Sequence, residues 1–321
     1  MKLAWLLVGF GCLFVTAGCR SSGQSDSTPL AARPSANPHL GSVCALLIVG
    51  KVDLVDRDGH CQPLARGTSF TEGETVKVGK DSGVLLAFSN GAIIKLKEYA
   101  ELAIDQLEQE PFNEANEGTF LRLQRDPSKS VTRLDLRNGF LAGEVRALNI
   151  AAGSVFEIAT PAGSVAVHGT IFFLSVSRTP TGEIKGIALN CPIGSFDFMP
   201  APGVQAACTS SSPAGVGISP ASVNVRGGAT VLLTLTTDSS GKITGVNITG
   251  ARLTNAEVQQ QVNQLVNAIH ATRIDESLSP MPPPTVTGPL DIRTVDGEEV
   301  TYTVQLDSID LGTSEFDPGT C

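Results

Sequence analysis

Residues 155–177, VFEIATPAGSVAVHGTIFFLSVS, decide the fold of this chain. Glu157 is the one residue in this stretch with a fixed charge, and a membrane-spanning helix needs ~20 apolar residues, so a membrane span has to be considered. The apolar residues alternate with a period of two, however, and Pro161, Gly163 and Gly169 would break a helix. The stretch therefore predicts two or three short β-strands, turned at Thr-Pro-Ala-Gly and His-Gly-Thr, and not a membrane anchor.

The alternation changes phase inside this stretch. Val165 and Val167 occupy odd positions, whereas Phe172 and Leu174 occupy even positions. A shift of one residue moves every side chain to the other face of a strand, so the pattern predicts a bulge or bend near Gly169. We expect Gly169 to have a positive φ or to lie against another backbone segment, because both situations favour glycine.

The rest of the chain up to residue 200 repeats this pattern of short apolar strands separated by turn residues. Turns are predicted at Asp58-Gly59, at Asn90-Gly91 as a type I′ turn, and at Asn138-Gly139, where strands at 131–136 and 140–148 would pair back on each other. Such spacing is typical of β-sandwiches, barrels and solenoids. The sequence predicts a mainly β fold with a core of Val, Ile and Leu.

The first eighteen residues have the features of a bacterial signal peptide. Lys2 supplies a positive charge and residues 3–15 form an apolar segment that is too short to span a membrane. Thr16-Ala17-Gly18 then places small residues before Cys19, as in a lipoprotein signal. We expect Cys19 to be lipidated, the alternative being an ordinary cleaved signal. Arg20 follows the cysteine, which favours the outer membrane, facing the periplasm or the cell surface.

After residue 200 the pattern changes from strands to a helix and then to an acidic tail. Thr254 and Glu257 have the spacing of a helix-capping box. Five apolar residues behind it share one helical face: Val258, Val262, Leu265, Val266 and Ile269. Residues 290–306 are predicted to form a hairpin in an acidic tail, where a weak Ca²⁺ site is an open alternative to a solvated surface.

Together these observations predict six segments. They are a signal peptide (1–18), a disordered tether (19–42), a β-domain (43–200), strands with an amphipathic helix (201–278), a proline-rich spacer (279–289) and an acidic hairpin tail (290–321).

Charge and cysteine content restrict the function. The net charge is −9, and it becomes about −10 if Lys2 is removed with the signal peptide, which disfavours nucleic acid as a partner. Outside the cytoplasm cysteines tend to pair. The favoured local pairs are Cys44 with Cys61 and Cys191 with Cys208, other connectivities remaining open and Cys321 left over.

Three segments, in order, resemble the FecR domain. Residues 73–92 are similar to its G-D-x-φ-x-T-G pattern followed by an alternating strand and D-G, and residues 136–145 to its l-x-x-G-x-l-x-x-x-V segment. Residues 156–172 resemble its most specific part. The residues that carry this match are Thr160, Pro161, Gly169 and Thr170. His168 stands where the family commonly has Arg, and Asn90 where it commonly has Asp.

This resemblance covers roughly residues 45–200 and implies an all-β, solenoid- or sandwich-like extracytoplasmic domain. The best-known members relay ferric-siderophore transport to a sigma factor through a cytoplasmic anti-sigma segment, a transmembrane helix and a further signalling subdomain. We recognise none of these parts in this sequence, so the resemblance is extended to the domain type and not to signal relay.

The sequence therefore predicts a lipid-anchored envelope protein that is not an enzyme. We expect it to act as a binding or scaffold module with an envelope protein partner, without cofactor or metal. None of the common catalytic motifs is present, and His60, His168 and His270 are expected to be surface or structural residues. The alternative is a carbohydrate-active or enzyme-accessory protein with a site in residues 201–321.

Overall fold

The computed structural model describes residues 41–112, 123, 125–208, 215–219, 221–274, 290–293, 299–302, 317 and 319. All of these residues belong to one compact unit. The predicted signal peptide, Cys19, the proline-rich spacer and most of the tether and acidic tail lie outside the described residues. Within the described part of the chain, no helix has the length and apolar character needed to cross a membrane.

The described part is built almost wholly from strands. They are β1 (Val43–Val49), β2 (Val52–Val55), β3 (Cys61–Pro63), β4 (Ser69–Phe70), β5 (Thr75–Val78), β6 (Gly83–Phe88), β7 (Ile93–Leu96), β8 (Glu101–Gln109), β9 (Ser130–Val145), β10 (Val155–Thr160), β11 (Gly163–Val167), β12 (Thr170–Arg178), β13 (Ile184–Ile193), β14 (Ser195–Pro200), β15 (Gln205–Cys208), β16 (Val216–Ile218), β17 (Val223–Arg226), β18 (Ala229–Thr237), β19 (Ile243–Arg252), β20 (Leu290–Arg293) and β21 (Glu299–Tyr302). The helix α1 covers Asn255–Ile274. The prediction of a mainly β fold is confirmed.

Strands β1 to β19 form one continuous sheet that folds over into two layers. Layer A has the order β3-β2-β5-β8-β9-β10-β11-β14-β17-β16. Layer B has the order β4-β1-β6-β7-β9-β12-β13-β18-β19-β15. Strand β9 belongs to both layers, because its first half pairs in layer A and its second half in layer B.

The core lies between the layers and follows the period-two pattern of the sequence. In β10 every second residue faces inward, so Phe156 and Ile158 are buried. The ring of Phe156 meets Phe88 of layer B edge-on, with the ring centroids 6.3 Å apart. Each such side chain contributes roughly 1.5–3 kcal/mol on full burial, which makes this core the main source of stability.

The predicted phase change at Gly169 is confirmed. Strands β10 and β11 form an antiparallel pair in layer A, and β12 lies in layer B beside β9. Val167 ends β11 facing the core, and Phe172 of β12 faces the same core from the opposite layer. The shift of one residue at Gly169 is therefore how the chain passes from one layer to the other with its apolar side inward.

The predicted turn at Asn138-Gly139 is wrong. Strand β9 runs for 16 residues straight through this dipeptide. Gly139 has a φ of +83°, which bends the strand from layer A into layer B, and the Asn138 side chain donates to the Tyr99 carbonyl at 2.7 Å. A Cβ on Gly139 would lie 2.5 Å from the Ala100 Cα, so this bend needs glycine.

Asn90-Gly91 does join β6 to β7, but not as a type I′ turn. That turn requires a positive φ at both residues. Gly91 has a φ of +85°, whereas Asn90 is not among the described residues with positive φ. The amide of Phe88 donates to the Ala92 carbonyl, which leaves a three-residue loop closed by a left-handed glycine.

The capping box predicted for the helix is present. The Thr254 amide donates to Glu257 Oε2 at 2.6 Å, and the Glu257 amide donates to Thr254 Oγ1 at 3.2 Å. Val258, Val262 and Leu265 are buried, and Leu265 belongs to an apolar cluster on the outer side of layer B that includes Phe140 and Phe173. The side chains of the other two predicted apolar residues, Val266 and Ile269, lie outside the described set.

Residues on both sides of the predicted division at residue 200 belong to the same sheet. Strand β13 pairs with β18, and β14 pairs with β17. The core between the layers includes residues from Val43 to Ile248. The β-domain and the following strands are thus one folded unit, because their strands share hydrogen bonds and a core. Strands β20 and β21 pair antiparallel, as the predicted terminal hairpin requires.

Candidate interaction surface

The residues of the Thr-Pro-Ala-Gly segment build a tight turn between β10 and β11. Thr160 is buried, and its Oγ1 donates to the Gly163 carbonyl at 2.7 Å across the turn that contains Pro161. A Cβ on Gly163 would lie 2.2 Å from the Met199 carbonyl oxygen of β14. Thr160 therefore closes the turn with its hydrogen bond, and Gly163 lets β14 approach the turn closely. Both roles are structural.

The Gly-Thr pair builds the next corner. Gly169 has a φ of +90°, and a Cβ there would lie 3.1 Å from the Ala147 Cα. Thr170 is buried and its hydroxyl donates to the Ile193 carbonyl. Gly194, which follows Ile193, has a φ of +88° at the passage from β13 to β14. The corners of successive strands thus rest on one another, and Gly169, Thr170 and Gly194 hold them.

Neither predicted disulfide is present, because Cys44 and Cys191 are free thiols. Cys44 lies in β1 of layer B, whereas Cys61 lies in β3 at the edge of layer A. Cys191 faces the core from β13, and β18 and β19 separate that strand from β15, which ends at Cys208. The pairs are close in sequence, but the two-layer topology separates them. Cys61 is disulfide-bonded, to neither Cys44 nor Cys191.

The outer side of layer A carries a band of polar and charged side chains that we call the charged face. Its members are Glu101, Asp105, Gln106, Arg133, Asp135, Arg137, Glu157, His168, Asp197, Asn224 and Arg226. They come from β8, β9, β10, β14 and β17, and from the residue that follows β11. The alternation that places apolar residues in the core places these residues on the opposite side.

Acidic and basic side chains on the charged face neutralise one another within β9 and across neighbouring strands. Arg137 Nε lies 3.0 Å from Asp135 Oδ2, and Arg137 Nη1 lies 3.3 Å from Glu101 Oε1. Burial alone would lower the pKa of Arg137, but the hydrogen bonds and charges of Asp135 and Glu101 raise it. Arg133 Nε lies 3.3 Å from Glu157 Oε2 on β10. Both arginines are about half exposed, so the pairs remain open to a partner.

A second group of the charged face links three further strands through side-chain hydrogen bonds. His168 Nε2 lies 2.9 Å from Asp197 Oδ2, and Asn224 Nδ2 donates to Asp197 Oδ1 at 2.8 Å. Arg226 Nε in turn donates to Asn224 Oδ1 at 3.0 Å. His168 thus contacts a carboxylate of the neighbouring strand β14.

One carboxyl of the charged face, that of Asp105, has a raised pKa. Burial raises the pKa of Asp105, the charge of Asp135 raises it further, and Arg137 opposes both effects. A carboxyl of this kind is a candidate acid–base group, but catalysis also needs a reacting atom held within hydrogen-bond reach. Asp105 is exposed at the irregularity in β8 between Ile104 and Gln106, and this open position favours contact with a partner over catalysis.

Asp56, Asp58 and His60 are the group of described residues that could hold a metal ion, with their ligand atoms within 4.8 Å of one another. Hydrogen bonds within the turn between β2 and β3 account for this grouping. Asp56 Oδ1 accepts from the amides of His60 at 2.8 Å and Asp58 at 2.9 Å, and these bonds lower the pKa of Asp56. The Asp56 side chain therefore stabilises the turn through these hydrogen bonds.

Comparison with protein-family models gives no match, and no curated protein is significantly similar in sequence. Similar solved structures include two crystal structures described as a “putative anti-sigma factor” from Parabacteroides distasonis. Both are 10% identical in sequence and cover 60% of this chain, with TM-scores of 0.36 and 0.35. The matched regions span 64% and 63% of those chains. These values are too low to carry a functional argument.

Proposed function

We propose that this chain is a lipid-anchored, non-catalytic binding module of the bacterial cell envelope, built on a FecR-like β-domain. Two observations support the domain type. The motif residues Thr160, Gly169 and Thr170 all have structural roles at strand corners, as expected of a fold signature. The two layers share one hydrophobic core, as expected of a two-layer β-domain.

The charged face carries the binding proposal. Its mixed, mutually neutralised charges suit a protein surface of complementary pattern better than a polyanion, whose binding depends on an excess of Lys and Arg. Arg133 and Arg137 are 48% and 45% exposed while already paired, so a partner can share their remaining donors. Charged pairs in such a surface chiefly determine specificity and association rate.

Site-specific photo-crosslinking in the envelope tests this assignment. A photoreactive residue at Ala159 or Ala166, both on the charged face, is expected to give one defined crosslinked protein. Leu232, 50% exposed on the outer side of layer B, is the control position and should not give that product. The same product from Leu232, or none from Ala159 and Ala166, would overturn the proposal.

A charge swap identifies the basis of recognition. Arg133→Glu places an acid beside Glu157 and should abolish the crosslink. The double variant Arg133→Glu with Glu157→Arg restores the ion pair between these two positions but reverses its polarity. If the partner recognises the pattern of charge, the double variant has wild-type stability and still gives no crosslink. Recovery of the crosslink in the double variant would mean that the face is needed only for folding.

Within residues 201–274, the described carboxylates do not favour the enzymatic alternative. Between residues 201 and 274 the sequence has two acidic residues, Asp238 and Glu257. Asp238 accepts hydrogen bonds from Ser240 and Lys242 in the β18–β19 turn, which lower its pKa. Glu257 caps α1. Both carboxylates therefore have structural partners, and we do not develop this alternative further.

A further inference from the structure

The outer side of layer B carries two lysines in an apolar setting. Lys95 of β7 lies directly opposite Leu85 of β6 on one side and Ala142 of β9 on the other. Both of these neighbours are buried members of the apolar cluster on this side of the sheet. Lys97 follows two residues later, and its Nζ lies 4.6 Å from the centroid of the Phe140 ring. The two ammonium groups therefore emerge from an apolar surface.

These two lysines differ from a lysine of layer A in their charged neighbours. Within the part of the chain that the structure describes, neither forms an ion pair with a carboxylate. Lys77 of layer A, by contrast, lies directly opposite Asp53 and Glu101. Burial lowers the pKa of Lys95, and the charge of Lys97 lowers it further. Both effects penalise the positive charge, so an anion beside the two lysines is favoured.

Exposed apolar side chains adjoin the lysines on the same side of the sheet. Leu47 of β1 lies directly opposite Leu85, and Val49 follows two residues later. Their exposed fractions are 37% and 57%. Helix α1 packs over β9 and β13 and leaves β1 at this end of layer B open. We call Leu47, Val49, Lys95 and Lys97 the basic apolar patch.

We propose that the basic apolar patch contacts an anionic phospholipid membrane. Lysines attract the headgroup phosphates, and apolar side chains enter the boundary between headgroups and acyl chains. The net charge of the chain is −9, so binding to a negative surface needs a locally positive site, and the patch supplies one. Glu144, two residues beyond Ala142 in β9, is neutralised by Arg146, whose Nη1 lies 2.5 Å from its Oε1.

The location of this contact rests on the proposed function, because the lipid anchor is what keeps the domain near a membrane. The charged face lies on the outer side of layer A, opposite the basic apolar patch on the outer side of layer B. Contact through the patch therefore turns the charged face away from the membrane, where a protein partner can reach it.

Vesicle flotation of the lipid-free mature chain tests the membrane contact separately from the anchor. Residues 19–321 with Cys19→Ser are mixed with phosphatidylcholine vesicles, with or without phosphatidylglycerol. We expect the protein to float with the anionic vesicles only. Equal binding to neutral vesicles, binding to neither, or release by inorganic phosphate at constant ionic strength would overturn the proposal. None of these outcomes bears on lipidation of Cys19 or on the charged face, so the proposed function is judged independently.

Matched variants locate the contact. A lysine near an anionic surface strengthens binding about fivefold, so Lys95→Gln with Lys97→Gln should weaken vesicle binding about 25-fold. Lys77→Gln removes the same kind of charge from layer A and should leave binding unchanged. Val49→Asp, at a position that is more than half exposed, should also weaken binding and decides the matter if the double lysine variant fails to fold. Wild-type binding by these patch variants, or an equal loss in Lys77→Gln, would contradict the proposal.

Discussion

At the scale of single residues, the passages between layers depend on glycines that have a positive φ and, at some positions, a backbone neighbour. Gly139 and Gly169 combine both features, since a Cβ would lie 2.5 Å from the Ala100 Cα or 3.1 Å from the Ala147 Cα. Gly241, in the β18–β19 turn, has a φ of +82° but nothing within 4 Å of its Cβ position. These positions separate the effect of φ from the effect of contact.

Alanine substitutions should therefore differ in size. Gly241→Ala is expected to lower the free energy of unfolding by about 1 kcal/mol through φ alone. Gly169→Ala should lower it more, because the Ala147 backbone must also move, and Gly139→Ala more still. Urea unfolding of the three variants measures this order. Equal losses would show that the corner contacts yield freely and that Gly169 is an ordinary turn glycine.

The buried thiol of Cys191 gives a second residue-scale prediction. Burial raises its pKa to about 12, although a hydrogen bond with Thr170 acts in the opposite direction. Alkylating reagents react with the thiolate. At pH 8 the native protein should therefore incorporate label at the half-buried Cys44 and not at Cys191, and denaturation should make both reactive. Equal labelling of both in the native state would contradict this environment.

The same shift has a consequence for stability at high pH. The pKa of the Cys191 thiol is higher in the folded state than its ordinary value of 9.0. The contribution of the buried, protonated thiol to the free energy of unfolding is therefore fully present below pH 9 and is lost as the pH rises towards about 12. The difference in free energy of unfolding between wild type and Cys191→Ala should shrink over this range. A difference that stays constant would mean that the thiol ionises alike in both states.

At the scale of elements, two identical dipeptides show what the sequence determines and what it does not. Asn90-Gly91 turns the chain, whereas Asn138-Gly139 bends a strand that continues. Strand alternation and the capping box are local signals and were predictable. Whether the chain turns or continues at Asn138 depends on the hydrogen bond to the Tyr99 carbonyl, 39 residues away in sequence, and on the layer in which the following residues pair. Such choices are set by tertiary pairing.

The helix α1 offers the element-scale prediction. Thr254→Ala removes one cap acceptor and should destabilise the helix by about 1 kcal/mol, seen as faster amide exchange at the start of α1. The Thr254 amide and hydroxyl lower the pKa of Glu257, so its stabilisation is present above the ordinary carboxyl pKa and is lost as the pH falls below it.

Glu257→Ala should consequently accelerate exchange at pH 7 and have little effect at pH 3. Glu183→Ala, at an exposed position in the β12–β13 turn, is the matched control and should leave α1 unchanged at both pH values. If Glu257→Ala is as disruptive at pH 3 as at pH 7, the carboxylate is not the group that caps the helix.

At the scale of the whole molecule, the sequence predicted the β fold but not the charged face. The signal was present in residues 133–137, where Arg133, Asp135 and Arg137 alternate with apolar residues. Their partners Glu101 and Glu157 lie on separate strands, and only the register of β8, β9 and β10 brings them together. The two predicted disulfides were wrong for the same reason, since proximity in sequence does not reveal the layer to which a strand belongs.

Membrane attachment is the prediction that concerns the entire chain. Under the proposed anchor the Cys19 thiol accepts the lipid, so Cys19→Ser should abolish lipid attachment and leave uncleaved or soluble protein. Fractionation with mass spectrometry of the mature N-terminus measures this. Wild-type protein that is fully soluble, with an unmodified Cys19, would contradict the anchor.

Strand β9 belongs to both layers and pairs with β8 and β10 in one and with β7 and β12 in the other. Neither layer can therefore come apart without breaking hydrogen bonds that the other shares. The consequence is cooperativity: the β-unit should unfold in a single transition, and no fragment that ends within β9 should fold independently. New termini made by circular permutation should be tolerated at the exposed β18–β19 turn and not within β9.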